Sequence, residues 1–327
     1  MALIEVKDLM KEYMLVKKKS GLRGSLASLF KPEKKKVRGV DGISFSIEEG
    51  EIVGYIGPNG AGKSTTIKML AGILHPTSGT IRVDGISPQQ SRKEVVKRLG
   101  VVFGQRTQLY WDLRLGESFE LLKRIYKIDN ETFLANMKLM NEVLKIDELI
   151  DTPVRQLSLG QRMKGDLAAA MLHSPSILFL DEPTIGLDVE AKHAIRSFIK
   201  EINKRRRTTV ILTTHDLDDV EQLCKRLIVV NHGKIVEDGP LSDIVGKVAP
   251  YRLLELTLAE PAADLHHPLA ETVKQDGMQI TYRFNKHEIT ASDLIADLSQ
   301  KLNVQDLSVK EPDIEDAIRE VYQYKTM

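Results

Sequence analysis

The chain holds a single cysteine, Cys224, among its 327 residues. One thiol closes no disulfide within the chain and builds no Cys-based metal site. Its setting, "EQLCKRLIVV", reads as a packed helix end, so the thiol is taken as structural. Long hydrophobic runs are missing as well: no apolar stretch approaches the roughly eighteen residues that span a bilayer. The N-terminus "MALIEVKDLM" carries a charge every few positions, unlike a secretion signal. Both absences point to a chain that stays in the cytoplasm. There is no internal repeat and no sustained heptad pattern.

What remains is an ordinary globular composition, 42% hydrophobic and 28% charged, at a length that suits two domains, one of them large. The net charge of +1 conceals an asymmetry. Residues 17–38, "KKKSGLRGSLASLFKPEKKKVR", hold nine Lys or Arg against the single acid Glu33, a local +8, so the rest of the chain carries about −7.

Hydrophobic periodicity divides the chain further. "ALIEVKDLMKEY" and "GISFSIEEGE", with Ile43, Phe45 and Ile47 alternating, read as strands of a small antiparallel sheet that the basic segment interrupts. From "EIVGYIG" onward an apolar strand runs into a Gly-rich loop and then a helix, the opening of a mainly parallel α/β sheet. "SILFLD" (176–181) and "TTVILTTH" (208–215) are two further buried strands. A mainly helical stretch, about 108–172, lies between the first and second of the three and reads as an inserted subdomain. Residues 245–327 read as a small α+β domain, with "DIEDAIREVY" an amphipathic helix that turns Ile314, Ile318 and Val321 inward.

The chemistry starts at "GPNGAGKS", Gly57 to Ser64, which fits G-x-x-x-x-G-K-[ST] in the strand–loop–helix context that the pattern requires. Backbone amides of Gly57, Pro58's successors Asn59 and Gly60, Ala61 and Gly62 wrap a phosphate chain, Lys63 reaches the terminal phosphates, and Ser64 offers a hydroxyl to Mg²⁺, with Thr65 beside it. In an open α/β sheet, ligands bind at the carboxyl ends of the strands. There Asp181 is placed to hold Mg²⁺, Glu182 to act as base for a water attacking a γ-phosphate, and His215 to sense or orient that phosphate. A second cradle stands nearly a hundred residues on. "QLSLGQRMKGDLAAAM" (156–171) reads as a helix start with no bulky cap, its first amides free to attract an anion.

Two phosphate cradles in one chain, with the ordered set Tyr13, "GPNGAGKS", Gln105 in "GVVFGQRTQ", "LSLGQ", "ILFLDE", "GLD" at Gly186 to Asp188, and His215, resemble an ATP-binding cassette (ABC) transporter ATPase over residues 1–244. The resemblance implies a P-loop NTPase fold of ABC type, with ATP and Mg²⁺ as ligands. It implies that two cassettes, identical or paralogous, pair head to tail, each offering its signature helix through Ser158, Gly160 and Gln161 to the ATP held by the other. It further implies that Tyr13 stacks on adenine (a packed strand-end tyrosine being the alternative), that Gln105 joins Ser64 and Asp181 at Mg²⁺ and reports to a permease, and that Asp188 communicates across the dimer. Leu159, where the family commonly has glycine, and Ile185-Gly186, where Ser-Ala is frequent, depart from the pattern.

The family context implies an energy-coupling subunit at the cytoplasmic face of the membrane, driving a separate integral permease. The alternatives are an importer ATPase or a non-transport ATPase of translation or DNA repair; one cassette without long coiled coils favours transport. "GVVFGQRTQLYWDLRLGESFELL" and the "GLD" variant resemble the branch that exports drugs, antibiotics, lipids or polysaccharides. No nucleic acid is expected as a partner. The C-terminal domain is expected to support the dimer or regulate it. For the basic insert two readings stand: a solvated loop, or a short helix with Leu22, Leu26, Leu29 and Phe30 on one side, resting on anionic lipid or on the permease.

Overall fold

The computed structural model describes residues 2–17, 33–104, 106–262 and 265–324. Two expectations, the role of Gln105 and the helical pattern of Leu22, Leu26, Leu29 and Phe30, therefore lie outside the described residues. In chain order the elements are β1 (Ala2–Lys17), β2 (Glu33–Glu48), β3 (Ile52–Ile56), α1 (Lys63–Leu70), β4 (Ser78–Val83), α2 (Arg92–Val96) and β5 (Leu99–Phe103). Then come α3 (Leu115–Tyr126), α4 (Asn130–Leu144), α5 (Leu159–Met171), β6 (Ile177–Asp181), α6 (Val189–Arg206), β7 (Thr209–Thr213), α7 (Leu217–Leu223), β8 (Arg226–Asn231) and β9 (Lys234–Pro240). The remainder is α8 (Leu241–Val248), β10 (Tyr251–Leu258), β11 (Ala270–Asp276), β12 (Gln279–Asn285), α9 (Ala291–Lys301), β13 (Val304–Lys310) and α10 (Ile314–Tyr324).

A three-stranded antiparallel sheet, ordered β2-β1-β4, is set by alternation. Val6 pairs with Phe45 and Leu9 with Ile43, so their side chains share one buried face. The ladder does not stop at Tyr13. It runs to Lys17 opposite Glu33, so Glu33–Arg38, expected as part of an interrupting insert, belongs to a strand instead. Glu12 offsets some of the positive charge there, lying 3.3 Å from the Arg38 guanidinium and 3.5 Å from the Lys36 ammonium.

The central sheet has the order β5-β6-β7-β3-β8-β9, parallel throughout except for the edge strand β9. Ile177, Leu178, Phe179 and Leu180 of β6 are all buried, as a parallel sheet covered on both faces requires. Cys224 sits buried at the C-cap of α7, where desolvation pushes its thiol up to about 12.

Contacts divide the chain into Met1–Pro240 and Leu241–Met327. The division falls four residues before the expected one because α8 packs on α10 and goes with the C-terminal unit. That unit is a four-stranded antiparallel sheet, β11-β12-β10-β13. Its core joins Leu254, Leu256, Ile280, Tyr282 and Phe284 to Leu294 and Leu298 of α9. In α10, Ala317, Ile318 and Val321 are buried while Ile314 is half-buried.

The helical stretch is stitched to the central sheet through α5. A Cβ on Gly100 of β5 would lie 2.6 Å from the Ala170 carbonyl, a measure of how closely helix and strand approach. One turn earlier in α5, Asp166 is buried, and one carboxylate oxygen accepts from the Thr107 hydroxyl and the Gln108 amide, each at 2.9 Å. The Gln108 side chain returns a bond to the Asp166 carbonyl at 2.9 Å. Burial raises the Asp166 carboxyl to about 6, against the opposing pull of those bonds and of Arg162.

That shift fixes a sign. A carboxyl whose folded pKa is raised favours the folded state fully below its ordinary value of 3.8 and loses that contribution as pH rises through about 6. Asp166→Asn, which keeps the acceptor oxygen and cannot ionise, should therefore gain stability relative to the parent as pH rises across this window. Thermal melts of both proteins from pH 4 to 7 test this; a difference in Tm that stays constant with pH would refute it.

Candidate functional site

Strands β6, β7 and β3 are neighbours and parallel, so their carboxyl ends meet. The loop that leaves β3 turns into α1 through Gly62, at φ 103°, where any side chain would strike the Gly39 carbonyl at 2.3 Å. Asn59 and Gly60 are exposed at the loop's crest, Pro58 is half-buried, and Gly57 and Ala61 are buried at its base. Helix α1 has neither a side-chain cap nor an acid in its first turn. Its first amides, which by geometry lack intrahelical acceptors, and its positive end therefore suit an anion.

Lys63 is 8% exposed, and its ammonium donates to the carbonyls of Gly57 at 2.6 Å and Pro58 at 3.3 Å. Desolvation holds its pKa below the ordinary lysine value, while the charges of Glu182 and Asp181 oppose that shift. The ammonium is thus held by two loop carbonyls, and the carboxylates at the end of β6 favour its charged form.

Asp181 closes β6. Its carboxylate accepts from Ser64 Oγ at 3.1 and 3.3 Å and from Thr213 Oγ1 at 2.5 Å. Two hydroxyls around a carboxylate are hard oxygen donors, the chemistry Mg²⁺ selects, so Ser64 and Asp181 fit as its protein ligands. Among the described residues no cluster of three or more His, Cys, Asp or Glu offers a competing metal site. Glu182 follows with φ 58°, its amide bonded to the Thr213 carbonyl at 2.9 Å. Its carboxylate lies 2.5 Å from His215 Nδ1, and the His215 side chain is 62% exposed. The pairing orients the ring and leaves Nε2 for a further partner.

Tyr13 lies within β1 rather than at a strand end, with its ring exposed over Gly39 and its hydroxyl 3.4 Å from Thr65 Oγ1. An exposed aromatic face beside the first turn of α1 suits stacking on a planar base.

The second cradle differs from expectation in one respect. Ser158 and Gln161 form a capping box: Ser158 Oγ accepts from the Gln161 amide at 3.2 Å, and Gln161 Oε1 accepts from the Ser158 amide at 2.9 Å. The helix start is capped rather than bare. Asp188 caps α6 in a related way, accepting from the Ala191 amide at 2.8 Å. A Cβ on Gly160 would lie 2.9 Å from that of Ala191, so the starts of α5 and α6 are side by side. Leu159 is 37% exposed beside Gly186.

Sequence reasoning missed two parts of this arrangement. Thr213, the second hydroxyl on Asp181, stands at the polar end of an otherwise apolar strand, which was a usable signal. The other is a buried charge network: Asp219, with no exposure, accepts from Thr184 and from Arg196 at 2.5 Å, while Asp216 pairs with Lys192 at 2.5 Å and Arg196 at 3.5 Å. It joins the segment after Glu182, helix α6 and the segment after His215. Its acids stand in "HDLDDV", and their partners Thr184, Lys192 and Arg196 are twenty or more residues away in sequence.

Residues 40–185 match the ABC transporter family profile. The chain is 34% identical over 215 residues to the ABC transporter ATP-binding protein NatA of Bacillus subtilis (strain 168), covering 66% of this chain and 87% of that protein. It is 33% identical over 237 residues to the Nod factor export ATP-binding protein I of Burkholderia lata, covering 72% and 74%. Among solved structures, a dimeric ATP-binding cassette in a post-hydrolysis state with ADP and Pi is similar at a TM-score of 0.58 and 26% identity, over 72% of this chain and 98% of that one. With loop, strand ends and capped signature helix in place, the chain belongs to the ABC transporter family, as an ATP-binding subunit with the ATPase domain of that family.

Proposed function

We propose that this protein is the energy-coupling ATPase of an exporter, acting as a head-to-tail pair of cassettes at the cytoplasmic face of the membrane and driving a separate permease. The convergence of Lys63, Ser64, Asp181, Glu182 and His215 at the ends of three adjacent parallel strands carries this reading. No described helix is long and apolar enough to cross a membrane, so translocation falls to the permease. Export is supported by the relative named for Nod factor export.

In this reading the backbone N–H groups of Gly57 and of residues 59–65 and the Lys63 ammonium bind the phosphate chain of ATP, and Tyr13 stacks on its base. Ser64 and Asp181, with Gln105 as a further ligand, would hold Mg²⁺, which would supply charge neutralisation on the phosphates. Glu182 orients and deprotonates the attacking water, and His215, its ring oriented by Glu182, faces the γ-phosphate through Nε2. Ser158, Gly160 and Gln161 serve the nucleotide of the opposite subunit, and Asp188 lies at the same interface. Closure on ATP and reopening after hydrolysis move the permease.

Glu182→Gln should bind Mg-ATP as the parent does while hydrolysis falls by roughly 10²- to 10⁴-fold, the range a general base contributes. Near-normal turnover of the purified variant would sink the assignment. The trans arrangement has its own test. With Cys224 replaced, cysteines at Gly60 and Ser158 should cross-link between subunits only when ATP is present; a link formed within one chain defeats the reading.

The basic insert extends the proposal to an anionic membrane surface, where each Lys or Arg near the lipid contributes about 1 kcal/mol. Replacing residues 18–32 by a neutral Gly-Ser linker should reduce co-sedimentation with phosphatidylserine vesicles at low salt, with ATPase activity retained. Equal sedimentation of both proteins would exclude this contact.

A further inference from the structure

The parallel ladder between β5 and β6 ends at Phe103 opposite Asp181. One residue later on each strand stand Gly104 and Glu182, and the two backbones come together. The Gly104 amide donates to the Asp181 carbonyl at 2.7 Å. Glu182 then takes a left-handed conformation, φ 58°, which few residues other than glycine adopt without cost. This turn carries the Glu182 carbonyl into the space that a side chain at position 104 would need. A Cβ built on Gly104 would lie 2.0 Å from the Glu182 carbonyl oxygen, 2.9 Å from its carbonyl carbon and 3.1 Å from the Asp181 oxygen. All three are backbone atoms, which cannot rotate away as the end of a flexible side chain would. From the other side, the Glu182 amide is held by the Thr213 carbonyl at 2.9 Å.

Glu182 is thus clamped between the ends of β5 and β7 in a conformation that its own sequence disfavours. Such strain persists only where the surroundings over-determine it, and it collects at functional sites. The Glu182 side chain that leaves this turn reaches His215 Nδ1. Rotating the Glu182 peptide back toward an ordinary conformation would swing that carboxylate away from the end of β7.

We propose that Gly104 is a positioning residue for ATP hydrolysis: by having no side chain it admits the Glu182 carbonyl, and so sets the direction in which the Glu182 carboxylate points. The inference rests on the reading of Glu182 as the residue that activates water. It also gives the segment that enters Gln105 a direct backbone route to the base. A shift of Gly104 moves Glu182, whether or not any side chain in between changes place.

The test is a double-mutant cycle on the full chain, with Mg-ATP affinity and single-turnover hydrolysis at saturating Mg-ATP measured for the parent, Gly104→Ala, Glu182→Gln and the double variant. Gly104→Ala should keep the parent's ATP affinity and lose about 100-fold in rate, the scale expected for a misplacement of about 1 Å at a reacting group. In the Glu182→Gln background the same substitution should change nothing further, because the group it misdirects is already gone. A parental rate in Gly104→Ala, an affinity that falls in step with the rate, or an equal loss in both backgrounds would each overturn the proposal. The cycle separates the two readings: a fast Glu182→Gln enzyme removes the role of Glu182 and this inference with it, whereas a slow Glu182→Gln beside a fast Gly104→Ala removes the inference alone. Should Gly104→Ala fail to fold, amide exchange in the unaltered chain decides. The clamp requires the Gly104 N–H to be strongly protected, and exchange at the rate of an open loop would refute it.

Discussion

One carboxylate ties together the three strands on which the nucleotide site depends. Asp181 ends β6, Ser64 belongs to the helix that follows β3, and Thr213 ends β7; both hydroxyls point at the same carboxylate. Hydrogen bonds to a charged acceptor are shorter and roughly twice as strong as neutral ones, so this junction holds the phosphate loop against the sheet with little freedom. It also places hydroxyl and carboxylate oxygens at one point between loop and sheet. Take away the charge on Asp181 and both hydroxyls keep an acceptor oxygen but lose the charge-assisted strength of their bonds. The charge on Lys63 is coupled to the same carboxylate, since Glu182 and Asp181 oppose the downward shift that desolvation imposes on its ammonium.

A second tie lies beneath the first. Asp219 is fully buried, yet its partners come from two other segments: Thr184, two residues after Glu182, and Arg196 on α6. Asp216, directly after His215, is bound by Lys192 and Arg196 of the same helix. Desolvation raises the Asp216 pKa, but the Lys192 bond and the two cationic charges outweigh it and hold the carboxyl below its ordinary value. Buried ion pairs add little net stability, because desolvation consumes most of the attraction, but breaking one leaves a costly unpaired charge. Their effect here is geometric: they keep the peptides that carry Glu182 and His215 in fixed relation, so the 2.5 Å contact between these side chains is supported from below.

The parts of this architecture that sequence made readable are those whose chemistry is local. A Gly-rich loop between an apolar strand and a helix carries its own geometry, and Asp181, Glu182 and His215 announce themselves by standing at the ends of apolar strands. The three-stranded sheet was visible in the alternation of Ile43, Phe45 and Ile47. What escaped depends on tertiary neighbours or on masked periodicity. The bond from Thr213 to Asp181 exists only because β6 and β7 are adjacent. Strand β11 is polar and exposed, "AETVKQD", and pairs at a sheet edge where no alternation is demanded. The lysines of Glu33–Arg38 hid a strand that backbone pairing holds. The cap at Ser158 also escaped, although it was legible: Ser followed three residues later by Gln is the sequence form of a capping box.

That cap bears on how a helix start can be closed and still receive an anion. A serine hydroxyl has one proton to donate and two lone pairs. Accepting from the Gln161 amide uses a lone pair and leaves the O–H free to donate, while Gln161 accepts through Oε1 and keeps both protons on its amide nitrogen. The box therefore spends acceptors and preserves donors. It also fixes the rotamers of both side chains beforehand, so little further side-chain entropy is lost when their protons meet an acceptor. Leu159 follows from the same geometry: at the first position of α5 its side chain lies beside Gly186 and contributes nothing to the box, so its presence in place of glycine leaves the donor set of Ser158 and Gln161 intact. In the proposed head-to-tail pairing, a capped start to α5 is thus better prepared for a nucleotide than a bare one, because its donors are already aimed.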